Sequence, residues 1–205
     1  MKRLLILAVC VWVVAASAVA QSIYTYNSQK PNVSCNAVTA TGVCPFLIMP
    51  FFGGYELTNN FMWQTTITGS PASVSVTLEG AIDNRSVLDA SMAASSAVLK
   101  SATAAFTAQD VGKTVAVSGV GTAGATLYST ISTYTSATQV SLAASASVSA
   151  TNQALTIATF FVLDTSTNTA GEARLIAYMP VRLIRCNAGT LSSPGVLTCT
   201  IQARG

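Results

Sequence analysis

Histidine is missing from the 205-residue chain, and charge is scarce, with only 8% of positions Asp, Glu, Lys or Arg. Without an imidazole there is no general base for a Ser-His-Asp triad and no ordinary ligand set for catalytic zinc. Without Lys2 and Arg3 of the N-terminal segment, the 10 Lys+Arg against 7 Asp+Glu become eight against seven. So few scattered cations do not make the basic face that grips a phosphate backbone, which argues against nucleic acid as a partner. Aromatic residues are few as well, at 7%, and Trp63 is the one tryptophan beyond the first 20 residues. What is abundant is apolar: 51% of positions are hydrophobic, too many for a disordered chain. A chain of this length buries one substantial core or two small ones.

The N-terminus carries Lys2 and Arg3, an apolar run from Leu4 through Val14, and small residues ending Ala18-Val19-Ala20. These are the three parts of a secretory signal peptide, with cleavage expected after Ala20. Residues 1–20 are therefore read as leader, with no stable membrane span once it is removed. The expected destination is the cell surface or the extracellular space, with the periplasm as the other compartment.

Cysteine usage fits export. Cys10 leaves with the leader, and Cys35, Cys44, Cys186 and Cys199 remain. An even number in an exported chain points to disulfides, and no C-x2-C spacing supports a thiolate zinc site. Four cysteines allow three connectivities. The one that joins sequence neighbours pairs Cys35 with Cys44 and Cys186 with Cys199, each closing a short loop for ~2–3 kcal/mol.

Hydrophobic patterning is that of strands. Ser73-Val74-Ser75-Val76-Thr77-Leu78-Glu79 alternates strictly, so Val74, Val76 and Leu78 face a core while the hydroxyls face water. Thr159 to Leu163, Glu172 to Tyr178, Val181 to Cys186 and Val196 to Ala203 read as strands, the last two as a hairpin carrying Cys186 and Cys199. Asp164 to Gly171 reads as a turn. Residues 84–159 change character, with Ala/Ser/Thr stretches such as Ala93-Ala94-Ser95-Ser96-Ala97. Here Val115-Ala116-Val117, Thr130-Ile131-Ser132 and Gln139 to Leu142 look like short strands, and a helical turn or two is allowed around Val87–Met92. The expected fold is all-β: an antiparallel β-sandwich, jelly-roll or Ig-like, built from residues 21–83 and 160–205, with residues 84–159 a small β domain inserted in one loop.

Two sets of residues also resemble known modules. Thr68-Gly69-Ser70-Pro71-Ala72-Ser73-Val74-Ser75-Val76-Thr77-Leu78-Glu79-Gly80, Val162-Leu163-Asp164-Thr165-Ser166 and Pro180-Val181-Arg182-Leu183-Ile184-Arg185 resemble a β-sandwich module frequent in phage virion and tail-associated proteins. Phe106 to Lys113, Val117-Ser118-Gly119 and Ala137 to Leu142 resemble a second piece found in phage tail fibres and tailspikes. The resemblance implies one sandwich interrupted by another β module. It carries no catalytic motif.

Chemistry-bearing groups are correspondingly thin. Glu79 with Asp83 or Asp164 is the only candidate glycosidase-like carboxylate pair, and the expectation is that Glu79 ends a strand while the aspartates shape turns. Arg182 and Arg185 fall on opposite faces of one strand, so one of them points inward, where an ion pair with Glu79 or Asp164 is expected. Gly119-Val120-Gly121-Thr122-Ala123-Gly124 matches G-x-G-x-x-G, but the flanks read as β and residues 139–146 hold no acid, so it is a turn. No catalytic, cofactor-binding or metal-binding residue is expected, and no cofactor. The expected function is a secreted, non-enzymatic structural or adhesive surface module that associates with itself or with other surface proteins. The alternative is a carbohydrate-binding module, with Tyr24, Tyr26, Tyr55 and Tyr134 as stacking platforms for glycans.

Overall fold

Valine, isoleucine and threonine favour a pleated, half-buried surface, and strands dominate the described residues, 32–48, 60–176 and 180–204 of a computed structural model. The leader and the candidate platforms Tyr24, Tyr26 and Tyr55 lie outside the described residues. The first stretch forms β1 (Asn32–Val38), β2 (Gly42–Val43), β3 (Leu47–Ile48), β4 (Asn60–Thr68) and β5 (Val74–Ala81). The middle forms β6 (Asn84–Met92), β7 (Val98–Lys100), β8 (Thr114–Val117), β9 (Leu127–Ser136), β10 (Gln139–Leu142) and β11 (Ala150–Ala158). Two single-turn 3₁₀ helices, Ala108–Asp110 and Thr122–Gly124, punctuate it. The chain closes with β12 (Phe161–Ser166), β13 (Gly171–Ile176), β14 (Leu183–Leu191) and β15 (Val196–Arg204).

The protein is all-β with antiparallel pairing. One sheet has the order β1-β15-β4-β13; a second has β12-β5-β14-β2, with β3 also paired to β14. The strands of residues 84–158 close on themselves as a six-stranded barrel, β10-β7-β6-β11-β8-β9. Gly80 pairs with Phe161 and Asn84 with Ala158, so four steps along one strand match three along the other. With one residue bulged, a single two-stranded ribbon runs from the second sheet into the barrel.

Buried side chains form separate clusters. Trp63, Leu197 and Ile201 from the first sheet pack with Val76, Leu78 and Ile184 from the second in one core. The barrel is filled by Leu99, Phe106, Val117, Ile131, Val140 and Leu155. A third, small cluster of Ala81, Ala158 and Leu183, with Phe46 and Phe160 against it, lies where ribbon and barrel meet.

Two disulfides, Cys35–Cys44 and Cys186–Cys199, have Cα separations of 5.2 and 6.5 Å. The second ties β14 of one sheet to β15 of the other. Here the expected hairpin is not what forms. β14 already has β5 on one side and β2 and β3 on the other, while β15 lies between β1 and β4, so neither has an edge left for the other. Val87–Met92 is part of β6 and not a helical turn, because its backbone groups pair with β11. Asp164 likewise sits within β12, beyond which the chain crosses to β13 of the other sheet. At that crossover Gly171 has φ +81°, and a Cβ there would stand 2.3 Å from the Thr65 carbonyl oxygen. Only glycine fits.

The barrel holds a buried carboxylate. Asp110, 1% exposed, caps its own 3₁₀ turn by accepting from the Thr107 N–H at 2.9 Å. It also accepts from Arg85 Nη2 at 2.7 Å and Lys113 Nζ at 2.9 Å. Burial by itself would raise its pKa, but the hydrogen bonds from Arg85, Lys113 and Thr107 and the Arg85 charge hold it well below the usual carboxylate range. A carboxylate with a depressed folded pKa stabilises the fold above its unfolded pKa of about 3.9, and that contribution fades as pH falls below it. Asp110→Asn should therefore lower unfolding stability by about 1–3 kcal/mol at pH 6, and the gap to the parent in urea titrations should narrow at pH 3. The barrel is also expected to be dispensable to the two sheets. Replacing residues 84–159 by an Asn-Gly turn should leave a disulfide-bonded chain that unfolds cooperatively, whereas a non-cooperative melt would make the sheets and barrel one folding unit.

Candidate functional site

The outer face of the second sheet is where its polar residues converge. β5 and β14 pair in register with Glu79 opposite Arg185 and Thr77 opposite Asn187. Cross-strand neighbours on one face lie within side-chain reach. Arg185 Nε and Nη2 both reach Glu79 Oε2 at 2.8 Å, while Glu79 Oε1 accepts from Asn187 Nδ2 at 2.8 Å and Thr77 Oγ1 at 3.3 Å. A strand face of this composition would ordinarily meet water. Here the barrel covers it, leaving the Arg185 side chain only 5% exposed. Arg185 Nη2 donates to Thr114 Oγ1 of β8 at 3.4 Å, and its guanidinium lies 3.9 Å from the centre of the Phe160 ring. Phe46 packs against both Phe160 and Tyr128, with ring centres 6.2 and 6.1 Å away. Burial lowers the Arg185 pKa, while the Glu79 charge and its hydrogen bond push back.

Glu79 is thus inside a strand and buried, correcting the expectation that it ends one; it sits beneath Arg185, which reaches on to the barrel. Beside this pair a cavity of about 310 Å³ opens between sheet and barrel. Val43, Thr114, Tyr128, Ser129, Ala144 and Arg185 are among the residues that line it. One guanidinium nitrogen, Arg185 Nη1, is buried without a hydrogen-bond partner among the described residues.

Asp83 is exposed, and three further acids, Asp164, Asp89 and Glu172, are held by hydrogen bonds and ion pairs. Asp164 accepts from Trp63 Nε1 at 3.0 Å and pairs with Arg174 Nε at 3.2 Å, and Asp89 accepts from Ser101 and Thr103. Glu172 accepts from Ser166. Of the candidate carboxylates, Glu79 pairs with Arg185 and Asp164 with Arg174. Among the described residues no group of three or more His, Cys, Asp or Glu is arranged to hold a metal ion. No helix among them is long and apolar enough to cross a membrane. Two disulfides suit an oxidising compartment, extracellular or periplasmic.

Tyr134 is the one candidate platform within the described residues; it lies on β9 opposite Val140 and is 37% exposed. The patterning missed a second surface feature. β12 pairs with β5 and ends its sheet, and β13 pairs with β4 and ends the other. Val162 on β12 is 57% exposed and Leu175 on β13 is 61% exposed. Arg174 spans the seam between these two edges through Asp164 and the Thr165 carbonyl.

No protein-family model, no curated protein and no solved structure matches the chain. The junction can be tested directly. Glu79→Ala would leave the Arg185 guanidinium buried without its anion, and should cost about 3–5 kcal/mol in urea unfolding. A loss below about 1 kcal/mol, the range of an exposed pair, would show the junction to be solvated.

Proposed function

We propose that this protein is an exported, non-enzymatic structural module of an extracellular surface, and that it associates with further copies of itself through the edge of β12. Its two sheets are read as a sandwich of the jelly-roll or Ig-like kind, with the barrel as an inserted domain. The observation that carries the reading is the β12 edge: it ends its sheet, and Val162 stands exposed upon it. An edge strand with exposed apolar side chains is a template for pairing with another chain, and the charges at this edge, Asp164 and Arg174, neutralise one another. Two β12 edges meeting antiparallel about a twofold axis would join two sheets into one. Scarce charge leaves little long-range repulsion against such contacts. The leader-like N-terminus, the disulfides and the resemblance of Thr68–Gly80, Val162–Ser166 and Pro180–Arg185 to phage virion modules support the same reading.

Sedimentation velocity over a wide concentration range tests it. The parent should shift from monomer toward dimer or larger species, and Val162→Lys should stay monomeric with an unchanged melting temperature. A parent that remains monomeric at high concentration, or a Val162→Lys variant that associates equally well, would overturn it.

A further inference from the structure

We propose that two copies meet through both sheets, β13 against β13 as well as β12 against β12, and that assembly stops at this closed dimer. The inference rests on the association through β12 and names the surface that completes it. An antiparallel contact between two identical strands has its twofold axis perpendicular to their sheet. The two sheets share one core, and sheets packed in that way lie ~10 Å apart with similar strand directions in the aligned class. Strand β13 lies against β12 across the seam: Arg174 reaches Asp164 at 3.2 Å and donates to the Thr165 carbonyl. Trp63, opposite Arg174 in the ladder, also donates to Asp164, at 3.0 Å. An axis that carries β12 onto its copy therefore brings β13 toward its own.

The β13 edge suits such a contact. It pairs with β4 without a register shift from Gly171 to Ile176, and among the described residues nothing pairs on its other side. Arg174 shares the face of buried Trp63, so Ala173 and Leu175 turn outward, and both are exposed. Val162 likewise turns outward from the other sheet, beside Glu79. The joint edge thus has an apolar residue on each outer rim. Between the rims Arg174 pairs with Asp164 and Glu172 of its own copy.

Size argues for using both strands. A six-residue strand is ~20 Å long, and its edge alone covers far less than the ~800 Å² per partner of a standard interface. Both edges together, ~20 Å by ~20 Å, give ~400 Å² per copy, the scale of a weak and reversible contact. The opposite edges are built differently. Strand β1 is broken by two register shifts, and β2 and β3 have two residues each. Bulges and very short strands prevent edge pairing, and the barrel is closed. No second edge is left to extend the dimer into a fibre.

Sedimentation equilibrium tests it, with Leu175→Lys, Val162→Lys and Val33→Lys run beside the parent. The parent should fit a monomer–dimer equilibrium with nothing larger. Lysine on an edge strand opposes pairing, so Leu175→Lys should weaken dimerisation at least tenfold. Val33→Lys, on the opposite edge, should dimerise as the parent does. Ala173→Lys, on the same outward face, replaces Leu175→Lys if that variant does not fold. A Leu175→Lys variant that dimerises like the parent while Val162→Lys stays monomeric would overturn the inference and leave the β12 contact standing. A parent that is monomeric throughout would overturn both. Species beyond the dimer, or loss of the dimer in Val33→Lys, would overturn the closed assembly.

Discussion

Because Gly80 pairs with Phe161 and Asn84 with Ala158, the chain's excursion into the barrel begins and ends on adjacent strands. Loop-closure cost grows only slowly with length, so a long excursion between paired strands is thermodynamically tolerable. The ribbon has a second consequence. The returning chain enters the sheet beside β5 as β12, then crosses at once to the other sheet as β13. Nothing later in the described chain pairs on the far side of either strand. The barrel closes and so hides its own edges, while the two sheets keep theirs.

The same ribbon places the barrel over the outer face of β5 and β14, and that cover changes the electrostatics of ordinary strand residues. In water a Glu–Arg cross-strand pair would contribute little. Beneath the barrel, Glu79 and Arg185 are desolvated and depend on one another, on Asn187 and Thr77, and on the Phe160 ring. A desolvated cation over an aromatic face contributes about 2 kcal/mol. The pair joins β5 to β14, and the guanidinium reaches on to Thr114 of the barrel. One side chain therefore links both bodies.

Local pattern carried the reading as far as local physics reaches. Alternation from Val74 to Leu78 marks a strand with one apolar face, and these three side chains are buried in the core between the sheets. Glu79 continues that alternation on the polar face, so its burial was invisible: its partner Arg185 is held under Thr114 and Phe160, far along the chain. The pairing of β14 and β15 was misread for a related reason. Adjacent strands with a short loop look like a hairpin unless it is known that β5, β2, β3, β1 and β4 already occupy their edges. Alanine in Val87–Met92 argues for helix only while backbone partners are ignored, and β11 supplies those partners. That Arg182 and Arg185 face opposite ways was legible; that Arg185 is the buried one, and on the outer face under the barrel and not toward the interior between the sheets, was not. Nor was the cavity beside it, since its walls come from β8, β9, the segment after β10 and the sheet.

Backbone protection is the property by which an edge that recruits a second copy differs most directly from one that merely lies exposed. Hydrogen–deuterium exchange of the protein at low and high concentration therefore tests the central claim. Protection should rise with concentration at Val162 to Ser166 and stay constant in the barrel strands, whose backbone groups are already paired. Exchange in Val162 to Ser166 that is indifferent to concentration, or a rise confined to the barrel, would contradict the account.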